Sequence, residues 1–288
     1  MDTIRNPVEW AVDQLKHVTQ AARLVGRSVR GAQAGSDSPL PAIHQISVTD
    51  LRDALAKGLD DLRAFRTDVV FLCIIYPVVG VIIASFAFRH DLMPLLFPLG
   101  SGFALVGPIS AVGLYEMSRR REQGLAATWV DAFGMLRSPS FGAIVVLGLV
   151  LLSIFLLWLL TAQVIYAVTL GPEPPSSITA FASDVLTTGA GWALIIVGMG
   201  VGFAFALVVL TISVVSFPML LDRDVGLGVA ISTSVRVVAA NPRPMAVWGM
   251  IVAGSLAIGA IPLFLGLIVI LPVLGHATWH LYRKLVPR

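Results

Sequence analysis

Residues 244–282 read PMAVWGMIVAGSLAIGAIPLFLGLIVILPVLGHATWHLY, thirty-nine positions without a single Asp, Glu, Lys or Arg. At 1.5 Å rise per residue one helix of that length would run about 58 Å, nearly twice the roughly 30 Å hydrocarbon layer of a bilayer. The stretch therefore folds back, with Gly259-Ala260-Ile261-Pro262 as its natural turn, and returns Arg283 and Lys284 to the side on which it began.

The same reading extends upstream. Residues 69–88 form a twenty-residue uncharged run, and 92–115 form a second one. That second run contains Pro98, Gly100, Gly102, Gly107 and Pro108, which predict a kink or local unwinding. Two more runs, 141–170 and 192–218, enclose the loop 171–177. After residue 50 the chain has fifteen Lys and Arg, and fourteen of them, all but Arg89, fall on one side of this alternation. By the positive-inside rule that side is cytoplasmic and the loop 171–177 is external. With 57% hydrophobic and 13% charged residues the chain is too apolar for an ordinary soluble domain, in which about 25% are charged. The expected fold is all-α and polytopic: six transmembrane helices in three hairpins, with amphipathic interfacial helices and both termini cytoplasmic.

Two parts are expected. Residues 1–46 comprise a cytoplasmic amphipathic helix, starting at Asn6-Pro7, and a flexible Gly/Ser/Pro-rich linker. Residues 47–288 form the membrane domain. The N-terminus has no apolar core of a secretory signal, so insertion is expected to depend on the first span. Within 47–68, SVTDLRDALAKGLDDLRAFRTD sets Leu51, Leu55, Leu59, Leu62 and Phe65 on one face. Segments 127–139 and 229–242 are similar partners in a weak threefold repeat, each preceding a hairpin. In its outer units Pro108 leads to Tyr115, Glu116, Arg119 and Arg120, and Pro272 to Trp279, His280, Arg283 and Lys284, at identical offsets. The middle unit, with Pro218, Asp222 and Arg223, departs from that spacing.

Few residues carry chemistry. His276 and His280 lie four apart and share a helix face, a spacing that a metal site can use, but no HExxH box surrounds them. The competing reading puts them, with Trp279, Tyr282 and Arg283, in an aromatic and basic belt at the headgroups. Haem between spans would need histidines on separate helices, and His17, His44 and His90 all fall outside the runs. Glu116 has Arg119 and Arg120 three and four residues on, which reads as a local ion pair. Gly198 and Gly202 form a small-xxx-small pair that admits a neighbouring helix, and Gly254, Gly259 and Gly266 suggest the same in the last hairpin. Cys73 is the only cysteine and sits in the first apolar run, so no internal disulfide forms. The net charge of +3 flanks apolar runs and forms no stripe with interleaved aromatics, which points to lipid headgroups and not to nucleic acid.

The stretches SVTDLRDALAKGLDDLRAFRTD, GPISAVGLYEMSRRRE and LPVLGHATWHLYRKLV resemble an uncharacterised family of bacterial integral membrane proteins filed as a domain of unknown function, over about residues 47–286. The resemblance implies the bacterial inner membrane and brings no site residues with it. Some members carry the label cytochrome c oxidase subunit I, which would imply a twelve-helix haem-copper core with six histidine ligands. Six spans without a histidine deep in any of them do not fit that label.

No Ser with His, HExxH or paired carboxylate is expected at membrane depth. The reading is thus a non-catalytic protein without cofactor, an assembly, scaffold or accessory component whose partners are the bilayer and other integral membrane proteins. A transporter or channel for a small neutral or lipidic solute is the alternative.

Overall fold

The computed structural model describes residues 40–89 and 92–287. The expected amphipathic helix near the N-terminus, and the linker up to residue 39, lie outside the described residues. Eleven α-helices occur among the described residues: α1 (Val48–Cys73), α2 (Ile75–Arg89), α3 (Leu96–Ser110), α4 (Val112–Glu122), α5 (Phe141–Thr169), α6 (Ile178–Thr187), α7 (Gly189–Ser213), α8 (Ser216–Asp222), α9 (Leu227–Ala240), α10 (Pro242–Ala260) and α11 (Leu267–Leu285). A short 3-10 turn precedes α3, and a longer 3-10 segment, Trp129–Arg137, joins α4 to α5. No strand occurs among the described residues.

Helix α11 is the central post. From Leu274 to Tyr282 it is buried almost all round, with α1, α4, α8 and α10 packed about it. Its longest partner is α1, whose start is held by Asp50: Ser47 N–H and hydroxyl both donate to Asp50 Oδ2, at 2.9 and 2.7 Å. The contact face of α1 is rotated from the expected one. Leu51, Ala54, Gly58, Asp61 and Leu62 are buried, whereas Leu59 is exposed. The cause is backbone approach: a Cβ on Gly58 would lie 2.7 Å from the Ala277 nitrogen and the Val273 carbonyl oxygen. Hydropathy periodicity counts side chains and does not register a glycine that lets two backbones touch.

Four segments are long and apolar enough to cross a membrane: Met93–Glu122, Phe141–Thr169, Gly189–Asp222 and Pro242–Ala260. The first expected span is divided, because the helix breaks at Ile74 and leaves α2 only 15 residues long. Helix α11 falls short on composition: its second half is polar and buried in protein.

The expected kink of the second run is present. Helix α3 ends at Ser110 and α4 restarts at Val112, just after Pro108. Helices α7 and α8 break likewise at Val214-Val215. Both breaks fall within stretches that differ at one position, Ile109-Ser110-Ala111-Val112 and Ile212-Ser213-Val214-Val215. This register pairs Arg223 with Arg120 and accounts for the middle unit's departure from the Pro218 spacing. The second break is plugged by α9. The Ser234 hydroxyl donates to the Thr211 carbonyl (2.7 Å) and accepts from the Val215 N–H (3.3 Å), inserting itself into what would be an i, i+4 bond.

The final turn comes slightly later than expected, over residues 261–266. Gly259 and Gly266 lie back to back there, since a Cβ on Gly266 would sit 2.7 Å from the Gly259 Cα. Leu263 and Phe264 adopt left-handed backbone, φ 51° and 65°, a conformation side chains rarely take. The Phe264 ring occupies the space that a side chain on Gly80 of α2 would fill. Gly254 faces open space, so it plays no part in this crossing.

Candidate functional site

The charged ends of α1, α4, α8 and α11 converge on one end of the molecule and bond to one another. At the centre is Asp61, almost fully buried. Its Oδ2 accepts from the Ser118 hydroxyl (2.6 Å) and pairs with His280 Nε2 (2.9 Å), while Arg121 Nη1 donates to Oδ1. His276, fully buried, places Nδ1 2.7 Å from the Ser118 oxygen and 3.9 Å from Asp61 Oδ2. Its Nε2 has no partner at hydrogen-bonding geometry among the described residues. Burial by itself would raise the Asp61 pKa. The hydrogen bonds from His280 and Ser118, and the nearby imidazoles, outweigh it and hold the carboxyl below its ordinary value.

Around this centre lie further pairs. Trp279 Nε1 donates to Glu122 (3.1 Å), and Tyr282 donates to Asp222 Oδ2 (2.8 Å). Arg283 bridges both acids, at 3.1 and 3.3 Å. Lys284 reaches Asp50 and Asp53, each at 2.9 Å. The Ser47 backbone N–H and Lys284 push the Asp50 pKa down, Lys284 does the same to Asp53, and the two carboxylates raise Lys284. Glu116 is buried and held by Arg119 through two bonds (2.8 and 3.0 Å) and by Arg120 through one (3.1 Å). Arg120 continues to Asp131 (2.8 Å), whose carboxyl, lowered by the Thr128 N–H, caps the 3-10 segment. Behind α11, Asn241 fastens residues 40–47: its Oδ1 accepts from the Ile46 N–H (2.8 Å), and its Nδ2 donates to the His44 carbonyl (3.2 Å).

Several expectations change here. Trp279, Tyr282 and His276 are interior residues, with 0% exposure for all three, so the final helix does not hold them in a headgroup belt. The i, i+4 spacing of His276 and His280 does put them on one face, but that face meets a carboxylate. His280 Nε2 and Asp61 Oδ2 stand at hydrogen-bond length, closer than two ligands spread around a shared ion. Glu116, Arg119 and Arg120 form the local ion pair that their spacing suggests. Gly202 seats the Trp158 ring, whose Nε1 donates to Ser101 and locks α5 to the kinked α3. Gly198 faces open space, so the two glycines do not act as a pair within the chain.

A Ser–His association that the sequence does not announce is present at this end, where Ser118 and His276 meet from 158 residues apart. Their arrangement differs from a nucleophilic relay. In such a relay the serine and the orienting acid occupy opposite imidazole nitrogens, whereas here Ser118 and Asp61 both lie on the Nδ1 side. Ser118 is itself only 1% exposed and is bonded to the acid directly. Asp61 and Ser118 were hidden in the sequence: Asp60-Asp61 looks like a solvated pair, and Ser118 is one letter in a basic run.

No curated protein and no solved structure matches the chain. Residues 96–222, a little under half of it, match a family described as Predicted integral membrane protein (DUF2189), the membrane family of unknown function to which the sequence resemblance pointed. Together with four apolar helices of membrane-crossing length, this match identifies an integral membrane protein.

Proposed function

We propose that the chain is a six-pass protein of the bacterial inner membrane, with both termini cytoplasmic, which acts without catalysis by packing against other membrane proteins. The observation that carries this reading is the division of labour among its surfaces. Ion pairs and hydrogen bonds at the inner end tie α1, α4, α8 and α11 into one latch, which leaves the apolar helix faces for association. Helix α7 is the outstanding case. One side packs on α5 and α9, while Trp192, Ile196, Met199, Phe203 and Leu207 form an exposed stripe along the other. Gly200 and Ala204 lie on that exposed side too, and small residues let a partner helix approach.

Cross-linking in native membranes tests the proposal. In a Cys73→Ser background, Phe203→Cys should yield discrete adducts, and Phe205→Cys, whose ring packs on Trp158, should not. Equal labelling at both positions, or no adduct at either, would remove the stripe as an interface.

The two broken helices favour a second reading, transport, since interrupted spans at matching places often flank a substrate site. Ser234 fills one break, and the Tyr76 hydroxyl reaches the Ser110 carbonyl at the other (3.5 Å), which favours a structural role for both. Solute flux into vesicles that depended on Ser234 would reverse that preference.

A further inference from the structure

A cavity of about 610 Å³ opens between α4, the 3-10 segment and α8, within the roughly 300–1,000 Å³ of ordinary ligand sites. It sits where the apolar segments Met93–Glu122 and Gly189–Asp222 end, the level of phospholipid headgroups. Its floor is Glu116 with Arg119 and Arg120. Each guanidinium has five N–H donors, and the bonds to Glu116 and Asp131 leave some on both arginines uncommitted. Across the opening stands Asp224, exposed and without a bonded partner among the described residues. The described lining holds four carboxylates, Glu116, Asp131, Asp222 and Asp224, against three guanidiniums, Arg119, Arg120 and Arg223. Asp222 is already held by Tyr282 and Arg283, so of these carboxylates Asp224 alone lacks a partner among the described residues, and a simple anion would leave it unanswered. A ligand with both an anionic and a cationic end would satisfy the arginines and Asp224 together. Val130 and Leu136 give the mouth an apolar edge.

We infer that this cavity binds a phosphoethanolamine headgroup, with its phosphate on Arg119 and Arg120 and its ammonium on Asp224. A primary ammonium donates hydrogen bonds to a carboxylate, which a trimethylated choline does not, so the site discriminates between the two. The inference is independent of the α7 interface, because the cavity and the stripe share no residue.

The experiment uses the whole protein in bilayer discs of equimolar phosphatidylethanolamine, phosphatidylcholine and phosphatidylglycerol, followed by extraction and native mass spectrometry. The wild type should retain phosphatidylethanolamine at least about threefold over either other lipid, less than the tenfold that 1.4 kcal/mol represents. Asp224→Asn touches no partner and should keep the fold while losing the preference over phosphatidylcholine. Arg120→Lys keeps the charge and loses the planar fork, so total retained lipid should fall. Soluble phosphoethanolamine and inorganic phosphate distinguish the source. A rise in Tm with the former alone, without lipid enrichment, would assign the site to a soluble phosphoamine. Equal retention of all three lipids with no response to soluble phosphoethanolamine, or an enrichment untouched by Asp224→Asn, would overturn the assignment.

Discussion

Asp61 is a carboxylate removed from water and repaid with partners from two other helices: Ser118 and Arg121 on α4, and His276 and His280 on α11. Because these partners hold its pKa below the ordinary 3.8, its contribution to stability is complete above that value. It is lost as pH falls through the lower, folded-state value. Asp61→Asn keeps the shape but removes the charge that Arg121 and His280 face. It should cost about 1–3 kcal/mol near neutral pH, below the full penalty of a buried pair because Arg121 is partly exposed. Thermal unfolding in detergent, followed through the buried Trp248 and Trp279, would measure this. The gap between wild type and variant should hold from about pH 7 down to about pH 4 and narrow as the pH falls below that. A gap that stayed constant would show that packing, and not charge, accounts for the loss.

At the scale of elements, the contact between α1 and α11 depends on Gly58. Gly58→Ala would gain roughly 1 kcal/mol of helix propensity, but the new methyl would meet backbone atoms of α11 at 2.7 Å. Backbone cannot rotate away, so a net loss of about 1–3 kcal/mol is expected, the usual cost of overpacking. Gly198→Ala is the control: it meets nothing within 4 Å and should leave the melting temperature unchanged or raised. Matching melting temperatures for the two variants would show that α1 does not depend on this close crossing. The same helix marks how far the sequence was legible. Its start and amphipathic character follow from Ser47, Leu51, Leu55 and Leu62, yet its phase does not, because Gly58 and Asp61 occupy the face centre for reasons that hydropathy does not record. The site behaves alike. Four-residue spacing foretells that His276 and His280 look the same way, and Glu116 with its two arginines is readable because the pairing is local. What the histidines face is not readable, since Asp61 comes 219 residues before His280 and is brought there only by the crossing of α1 and α11.

For the whole molecule, ion pairs impose a parity on the topology. Partners of a salt bridge lie on the same side of the membrane, so an even number of crossings must separate them. Arg121 pairs with Asp61, and Arg283 pairs with both Glu122 and Asp222. Between Asp61 and Arg121 only Met93–Glu122 is long and apolar enough by itself, and on the six-pass proposal α2, extended by the apolar end of α1, supplies the return. Between Glu122 and Asp222 the two long segments already satisfy the condition. Between Asp222 and Arg283, Pro242–Ala260 needs the apolar half of α11 as its return. The proposed six spans, taken two, two and two, meet this condition, whereas length and composition alone count four. A reporter enzyme active only outside the cytoplasm should therefore work when inserted between Glu173 and Ser177 or at Leu263, and stay silent after Gly124, Gly226 or Arg288. Placing the Arg119–Arg121 cluster or the Arg283-Lys284 pair elsewhere would oppose the positive-inside bias, and each Arg or Lys left at mid-bilayer would cost about 2.5–3.5 kcal/mol. Activity after Arg288 together with silence at Leu263 would mean that α11 does not return as drawn. The pairing of Arg283 with Asp222 could not then hold in the membrane, and the six-span reading would fall with it.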